Sequence, residues 1–207
     1  MNYTPRLVKS KCIAENVEDF VNFGNLTQTM ATRAAFNIMQ AKKLLKNPNY
    51  TEKQKHNEKY AIAVQRMIKA HIAHVMYQMA RTYIKGHEFK DPKIAPLLNL
   101  CVRIFALKTL LSDTQGLYEC GYFGEGSQQL VEDSLHKCLN ELRPQMIPIV
   151  ESFKCDSLDH NTIGNQYGDI YELQLDTAKK TRLNKQPVPS FYDKYMKPTM
   201  TMYKAKL

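Results

Sequence analysis

The chain has 207 residues and a net charge of +9, and its 43% apolar and 24% charged residues are typical of one soluble globular domain. No apolar run approaches the roughly 18 residues that span a bilayer, and the N-terminus lacks the apolar core of a secretion signal. We therefore expect neither a membrane span nor a secreted protein.

The positive charge does not form a recognisable nucleic-acid site. Lys and Arg residues are spread over the whole chain, without an arginine-rich run or an aromatic RNA-binding signature, so a solvated basic surface is the simpler interpretation. The cysteines are odd in number and widely spaced, with no CxxC pair: Cys12, Cys101, Cys120, Cys138 and Cys155. This spacing predicts free thiols in a reducing compartment, rather than a disulfide framework or a zinc site.

The first predicted helix covers about residues 16–45, although Gly24-Asn25 weakens the prediction near its start. A turn at residues 47–50 follows, and Thr51 with Gln54 should cap what comes next. Residues 60–84 show the clearest apolar periodicity of the chain, and Gly86 should end that helix. The residues at spacings of three and four form one stripe on one face of this helix: Val64, Met67, Ile68, His71, Ile72, Val75, Met76, Met79 and Tyr83.

A third helix should begin after Asp91-Pro92, and apolar residues over a wide arc of it predict a central, largely buried helix. A fourth helical stretch runs from about Ser127 to Phe153, with a break or kink at Pro144. Shorter helices are expected near residues 169–181 and 189–197. Four long amphipathic helices with short connections, and no hairpin pattern, predict an all-α antiparallel helical bundle.

Three groups of residues could carry chemistry. His71 and His74 have a spacing that suits two metal ligands, but no third ligand or HExxH pattern accompanies them, so a packed histidine is favoured. The segment GYFGEGS at residues 121–127 could bring amides to a phosphate, yet it lacks the preceding strand and the GK[ST] ending and is better explained as a turn between helices. The carboxylates are scattered over solvated helix faces: Glu119, Glu125, Glu132, Asp133, Glu141 and Glu151. We therefore assign no catalytic, cofactor-binding or metal-binding residue.

The C-terminal tripeptide carries a clearer signal. Ala205, Lys206 and Leu207 give the small-basic-leucine pattern of a peroxisomal address, for which SKL is the standard form. We predict that these three residues are exposed and read by the peroxisomal import receptor, which would place the protein in the peroxisomal matrix.

A series of motifs then appears in fixed order: LRPQMIPIVESF at 142–153, IGNQYGDIYE at 163–172, AKKTRLN at 178–184 and YDKYMKP at 192–198. This series resembles the C-terminal region of peroxisomal acyl-CoA oxidases, and the likeness extends more loosely back to about Asn16. The matching positions are Arg143, Pro144, Phe153, Gly164, Tyr167, Gly168, Tyr171, Glu172, Ala178, Lys179, Leu183, Asn184 and Leu207. Thr181-Arg182 in place of Ser-Pro, the additional Pro148 and the absence of tryptophan are departures from the family pattern.

The resemblance implies the second C-terminal helical bundle of that family, which packs over the rest of the enzyme and closes its dimer. Full-length members use FAD and a glutamate to oxidise an acyl-CoA to a trans-2-enoyl-CoA, with formation of hydrogen peroxide, in fatty-acid β-oxidation. The segments that carry this glutamate and the main flavin contacts are absent, so this chain alone is expected to hold no FAD. We divide it into an N-terminal extension (1–15), the oxidase-like helical domain (16–198) and a tail (199–207).

Two further functions remain open beside that of an oxidase domain. The chain could be a non-catalytic peroxisomal partner of full-length oxidase subunits, or an unrelated basic adaptor whose nucleic-acid binding would depend steeply on salt.

Overall fold

The computed structural model describes residues 5–153, 170–186 and 188–204, and every element described is helical. The chain divides into two compact units, Met1–Pro144 and Gln145–Leu207. The described parts of the chain thus confirm the predicted all-α fold class.

The first unit opens with helices α1 (Pro5–Val8), α2 (Val17–Val21) and α3 (Phe23–Leu45). The prediction of one helix over residues 16–45 was wrong, because Asn22 interrupts it in an extended conformation with φ −63° and ψ 132°. The Asn22 side chain accepts a hydrogen bond from the Gly24 amide at 2.7 Å and thereby caps α3.

Helix α4 (Glu52–Gln54), a π-helical turn (Lys55–Lys59) and α5 (Ala61–Gly86) follow. The predicted cap is confirmed: the Gln54 amide donates to the Thr51 hydroxyl, and the Thr51 amide donates to the Gln54 side-chain oxygen at 3.0 Å. The helix predicted over residues 60–84 is also confirmed, and it ends at Gly86.

Three more helices complete the first unit: α6 (Ile94–Leu111), α7 (Gln115–Glu119) and α8 (Ser127–Leu142). The core lies where α2, α3, α6, α7 and α8 meet, and its fully buried apolar side chains include Phe20, Leu26, Met30, Leu107, Leu110, Leu117 and Val131. Helices α3 and α5 run antiparallel, since Thr27 contacts Tyr77 whereas Arg33 lies near His74. Helices α5 and α6 are also antiparallel, because Arg66 contacts Asp113 near one end of the pair and Ile84 and Leu98 line one groove near the other.

Helix α6 departs from two predictions. Over 18 residues it reaches a mean hydropathy of 1.7, so it is long and apolar enough to cross a membrane by length and composition, contrary to the expected absence of such a run. A core helix passes the same test, and α6 packs beside α3, α5 and α8. Only 28% of its residues are buried, so the prediction of a largely buried helix was also wrong.

The second unit contains α9 (Met146–Ser152), α10 (Ile170–Lys180) and α11 (Lys197–Lys204). The break predicted at Pro144 is confirmed by a 3-10 turn at Arg143–Gln145 between α8 and α9. Instead of one helix over residues 189–197, a π-helical turn (Tyr192–Met196) leads into α11, which continues into the segment predicted as tail. After α10, the Asn184 side-chain amide donates to the Ala178 carbonyl at 2.9 Å and fastens the turn.

Candidate functional site

The most prominent surface of the first unit is an apolar face on α5. It consists of Ile68, Ile72, Met76, Met79 and Tyr83, and we call it the α5 face. Ile72 is 50% exposed, Met79 67% and Tyr83 61%. The predicted apolar stripe is thus present on one face of α5, and these five members of it are largely exposed.

Helix α5 packs into the bundle through its opposite side. Its buried residues are Ala70, His74, Tyr77 and Ile84, which lie about half a turn from the α5 face at 100° per residue. The Tyr77 hydroxyl donates to the Phe23 carbonyl at 3.3 Å and lies 3.3 Å from the Thr27 hydroxyl. Small and hydrogen-bonded residues thus hold α5 on α3, and the strongest apolar stripe remains largely exposed among the described residues.

A groove of about 410 Å³ continues the α5 face towards α6. Its walls are almost entirely apolar and are formed by Met76, Ala80, Tyr83, Ile84, Leu98, Cys101, Val102 and Phe105. Isolated exposed apolar residues are common, but a contiguous apolar face with a groove is typical of an interaction surface.

The two histidines do not form a metal site in this structure. His74, rather than His71, is the packed histidine: it is buried, whereas His71 is only partly buried. Burial lowers the pKa of His74, and the charges of His71 and Arg33 lower it further. Over the described residues, no group of three His, Cys, Asp or Glu side chains could hold a metal ion.

The glycine segment at residues 121–127 joins α7 to α8, as predicted. Gly121 and Gly126 adopt positive φ values of 70° and 76°, which favour glycine, and Gly126 immediately precedes α8. The Gly124 amide donates to the Ser127 hydroxyl at 3.0 Å, so it is engaged within the turn.

The remaining candidates are dispersed or lie outside the described residues. Glu132 and Asp133 accept hydrogen bonds from Gln128 and Gln129 on the surface of α8. Cys12, Cys101, Cys120 and Cys138 are free thiols whose pKa values are raised by burial, whereas Cys155 is not described. The predicted targeting residues Ala205, Lys206 and Leu207 also lie outside the described residues.

The sequence did not predict a polar cavity that lies near the N-terminal end of α5. It has a volume of about 390 Å³ and is lined by Arg33, Arg66, Lys69, Thr109, Ser112 and Asp113, among others. Arg33 is only 3% exposed. The sequence signal for this cavity was Arg33, a charged residue within the apolar pattern of α3. An arginine is seldom fully buried unless it is paired, so its position indicates polar partners inside the bundle.

Comparison with known proteins decides the family. The family model for acyl-CoA oxidase matches residues 22–201. The chain belongs to the acyl-CoA oxidase family. This assignment confirms the resemblance seen in the ordered motifs from Arg143 onwards.

Two relatives illustrate the likeness in sequence. Over 187 residues the chain is 27% identical to peroxisomal acyl-coenzyme A oxidase 1 of Phascolarctos cinereus, a match that covers 87% of this chain and 27% of the relative. Over 91 residues it is 32% identical to an acyl-coenzyme A oxidase of Caenorhabditis elegans, which covers 44% of this chain and 14% of the relative. The chain therefore spans less than a third of the length of these oxidases.

Solved structures confirm the bundle architecture. Acyl-CoA oxidase 1 of Arabidopsis thaliana superposes with a TM-score of 0.81 at 20% identity, covering 96% of this chain and 30% of that structure. Acyl-CoA oxidase-2 of Caenorhabditis elegans, solved with FAD, ascaroside-CoA and ATP, superposes with a TM-score of 0.75 at 19% identity. This match covers 95% of this chain and 28% of that structure. At these identities the likeness establishes the fold of this member of the acyl-CoA oxidase family.

The apolar groove of this family member does not fit FAD. Apart from the Tyr83 hydroxyl and the Cys101 thiol, its lining side chains cannot donate hydrogen bonds. A flavin ring and a diphosphate both require directed polar contacts. The groove is suited instead to apolar groups.

Proposed function

We propose that this chain is the C-terminal helical domain of a peroxisomal acyl-CoA oxidase and acts in fatty-acid β-oxidation by packing on the rest of the oxidase. The observation that carries the proposal is the exposed α5 face in a chain that spans 27% of a relative's length. The remaining oxidase domains, in the same polypeptide or in another oxidase subunit, are the partner of this face.

The α5 face has enough apolar surface to support such packing. Ile72, Met76, Met79 and Tyr83 are each at least half exposed. Since full burial of a large apolar side chain contributes about 1.5–3 kcal/mol, burial of the exposed half contributes about 1 kcal/mol for each residue. Together these residues would contribute several kcal/mol to the association.

This role separates the chemistry of the oxidase from its assembly and targeting. The chemistry of the family, FAD-dependent conversion of an acyl-CoA to a trans-2-enoyl-CoA with hydrogen peroxide formation, belongs to the other domains. This chain contributes assembly and, through Ala205, Lys206 and Leu207, the address read by the peroxisomal import receptor. The same contacts would serve a non-catalytic partner that pairs with full-length oxidase subunits.

The purified 207-residue chain can be tested for flavin binding and oxidase activity, which we assign to the other domains. We expect no flavin absorbance after purification and no peroxide when FAD and a long-chain acyl-CoA are added, because the described groove lacks the donors that a flavin needs. A full-length acyl-CoA oxidase prepared in parallel is the positive control. Yellow protein that forms peroxide from the acyl-CoA would overturn the proposal.

A further inference from the structure

The polar cavity between α3, α5 and α6 is separate from the α5 face and has an excess of positive charge. Arg33, Arg66 and Lys69 line it, and Asp113 is the only carboxylate among its lining residues. The Arg66 Nε lies 3.4 Å from an Asp113 oxygen, so the single carboxylate is already engaged by one of the three cations.

Arg33 forms the buried wall of this cavity. Its Nη1 donates to the Thr109 carbonyl in the last turn of α6, whereas its buried Nε has no hydrogen-bond partner in the part of the chain that the structure describes. Burial of a guanidinium is unfavourable unless its charge and its donors are compensated. The charge of Asp113 interacts favourably with the Arg33 guanidinium, but the same carboxylate also forms an ion pair with Arg66. The cavity therefore has unmet capacity for an anion.

We propose that this cavity binds the phosphate group of a small molecule. Guanidinium groups recognise phosphate oxygens through paired, charge-assisted hydrogen bonds, and a lysine adds a mobile point charge at the rim. The volume of about 390 Å³ lies at the lower end of the range of small-ligand pockets and suits a phosphate or diphosphate. The inference goes beyond the proposed packing role, since none of these side chains belongs to the α5 face.

Arg66 and Lys69 are the residues on which to test the proposal. Arg33 also bonds the end of α6, so its replacement would disturb the fold, whereas the Arg66 side chain is 38% exposed and Lys69 is exposed. The pair Arg66→Gln and Lys69→Gln removes two charges from the cavity. Lys42→Gln and Lys43→Gln remove two charges from the exposed end of α3 and form the matched control.

The measurement is calorimetric titration of the full chain with inorganic pyrophosphate, ATP and adenosine at low ionic strength, where electrostatic binding is least screened. We expect saturable one-site binding of pyrophosphate and ATP, weakened about tenfold by the cavity pair and less than about twofold by the control pair. Similar affinities for the two anions would assign recognition to phosphate alone, and tighter binding of ATP would assign it to a nucleotide. The proposal is overturned if binding does not saturate, or if the cavity substitutions and the control substitutions weaken it equally. It is also overturned if adenosine binds as tightly as ATP.

Discussion

At the scale of single residues, the contact between α3 and α5 depends on buried polar groups. Tyr77 is fully buried and bonds to the start of α3, and Arg81 donates to the Thr27 hydroxyl at 2.7 Å. The Arg81 guanidinium also lies 4.4 Å from the centroid of the Phe23 ring. Hydrogen-bonded polar groups of this kind fix one relative position of two helices, because each partner would be costly to bury alone.

His74 lies in the same contact, and its lowered pKa makes stability depend on pH. The unfolded chain, with an ordinary His pKa of about 6.5, binds this proton more readily than the folded protein does. The free energy of unfolding should therefore fall as the pH drops below about 6.5, by at most about 1.4 kcal/mol per pH unit, and level off below the folded pKa. Urea unfolding at a series of pH values provides the measurement.

Two variants assign this pH dependence to His74. His74→Gln should remove much of the decrease below pH 6.5, whereas replacement of the exposed His136 by Gln should preserve it. An unchanged slope in the His74 variant would show that another group is responsible.

At the scale of elements, the packing of the short helix α7 on α3 depends on a close contact between the two helices. Helix α7 packs on α3 at Gly116, where an added Cβ would lie 2.9 Å from Cδ1 of the Phe36 ring. Glycine is therefore needed here for space. Gly86, at the end of α5, has no atom of the described residues within 4 Å of the corresponding position.

Gly116→Ala and Gly86→Ala form a matched pair of substitutions. Overpacking typically costs about 1–3 kcal/mol, whereas alanine in a helix gains up to about 1 kcal/mol over glycine. We expect Gly116→Ala to lower the free energy of unfolding by about 1–2 kcal/mol relative to Gly86→Ala, which should be neutral or slightly stabilising. Equal stability of the two variants in urea unfolding would show that Phe36 moves aside at no cost.

The same elements show what the sequence could and could not predict. The helical periodicity, the Thr51 cap, the stop at Gly86 and the break at Pro144 are local signals, and the structure confirms each of them. Periodicity also located the α5 stripe, but it could not tell which face packs inside the chain. The buried side of α5 uses Ala70, His74 and Tyr77, whose packing depends on partners in α3 that no local pattern reveals.

At the scale of the whole molecule, the chain has the fold of one part of a larger enzyme family. The matched oxidase of Arabidopsis thaliana is covered over only 30% of its length. An apolar face that has no partner within the described residues is then expected, because the fold belongs to proteins in which other domains are present.

We propose that the α5 face binds acyl-CoA oxidase. The most direct test is capture of an acyl-CoA oxidase subunit from the same organism by the tagged full chain, with Ile72→Glu compared with Leu139→Glu on the surface of α8. Both positions are exposed, so each variant should unfold within about 0.5 kcal/mol of the unsubstituted chain. We predict that Ile72→Glu weakens capture at least about tenfold and that Leu139→Glu leaves it within about twofold. Equal capture by both variants, or no capture by the unsubstituted chain, would show that the α5 face does not bind the oxidase.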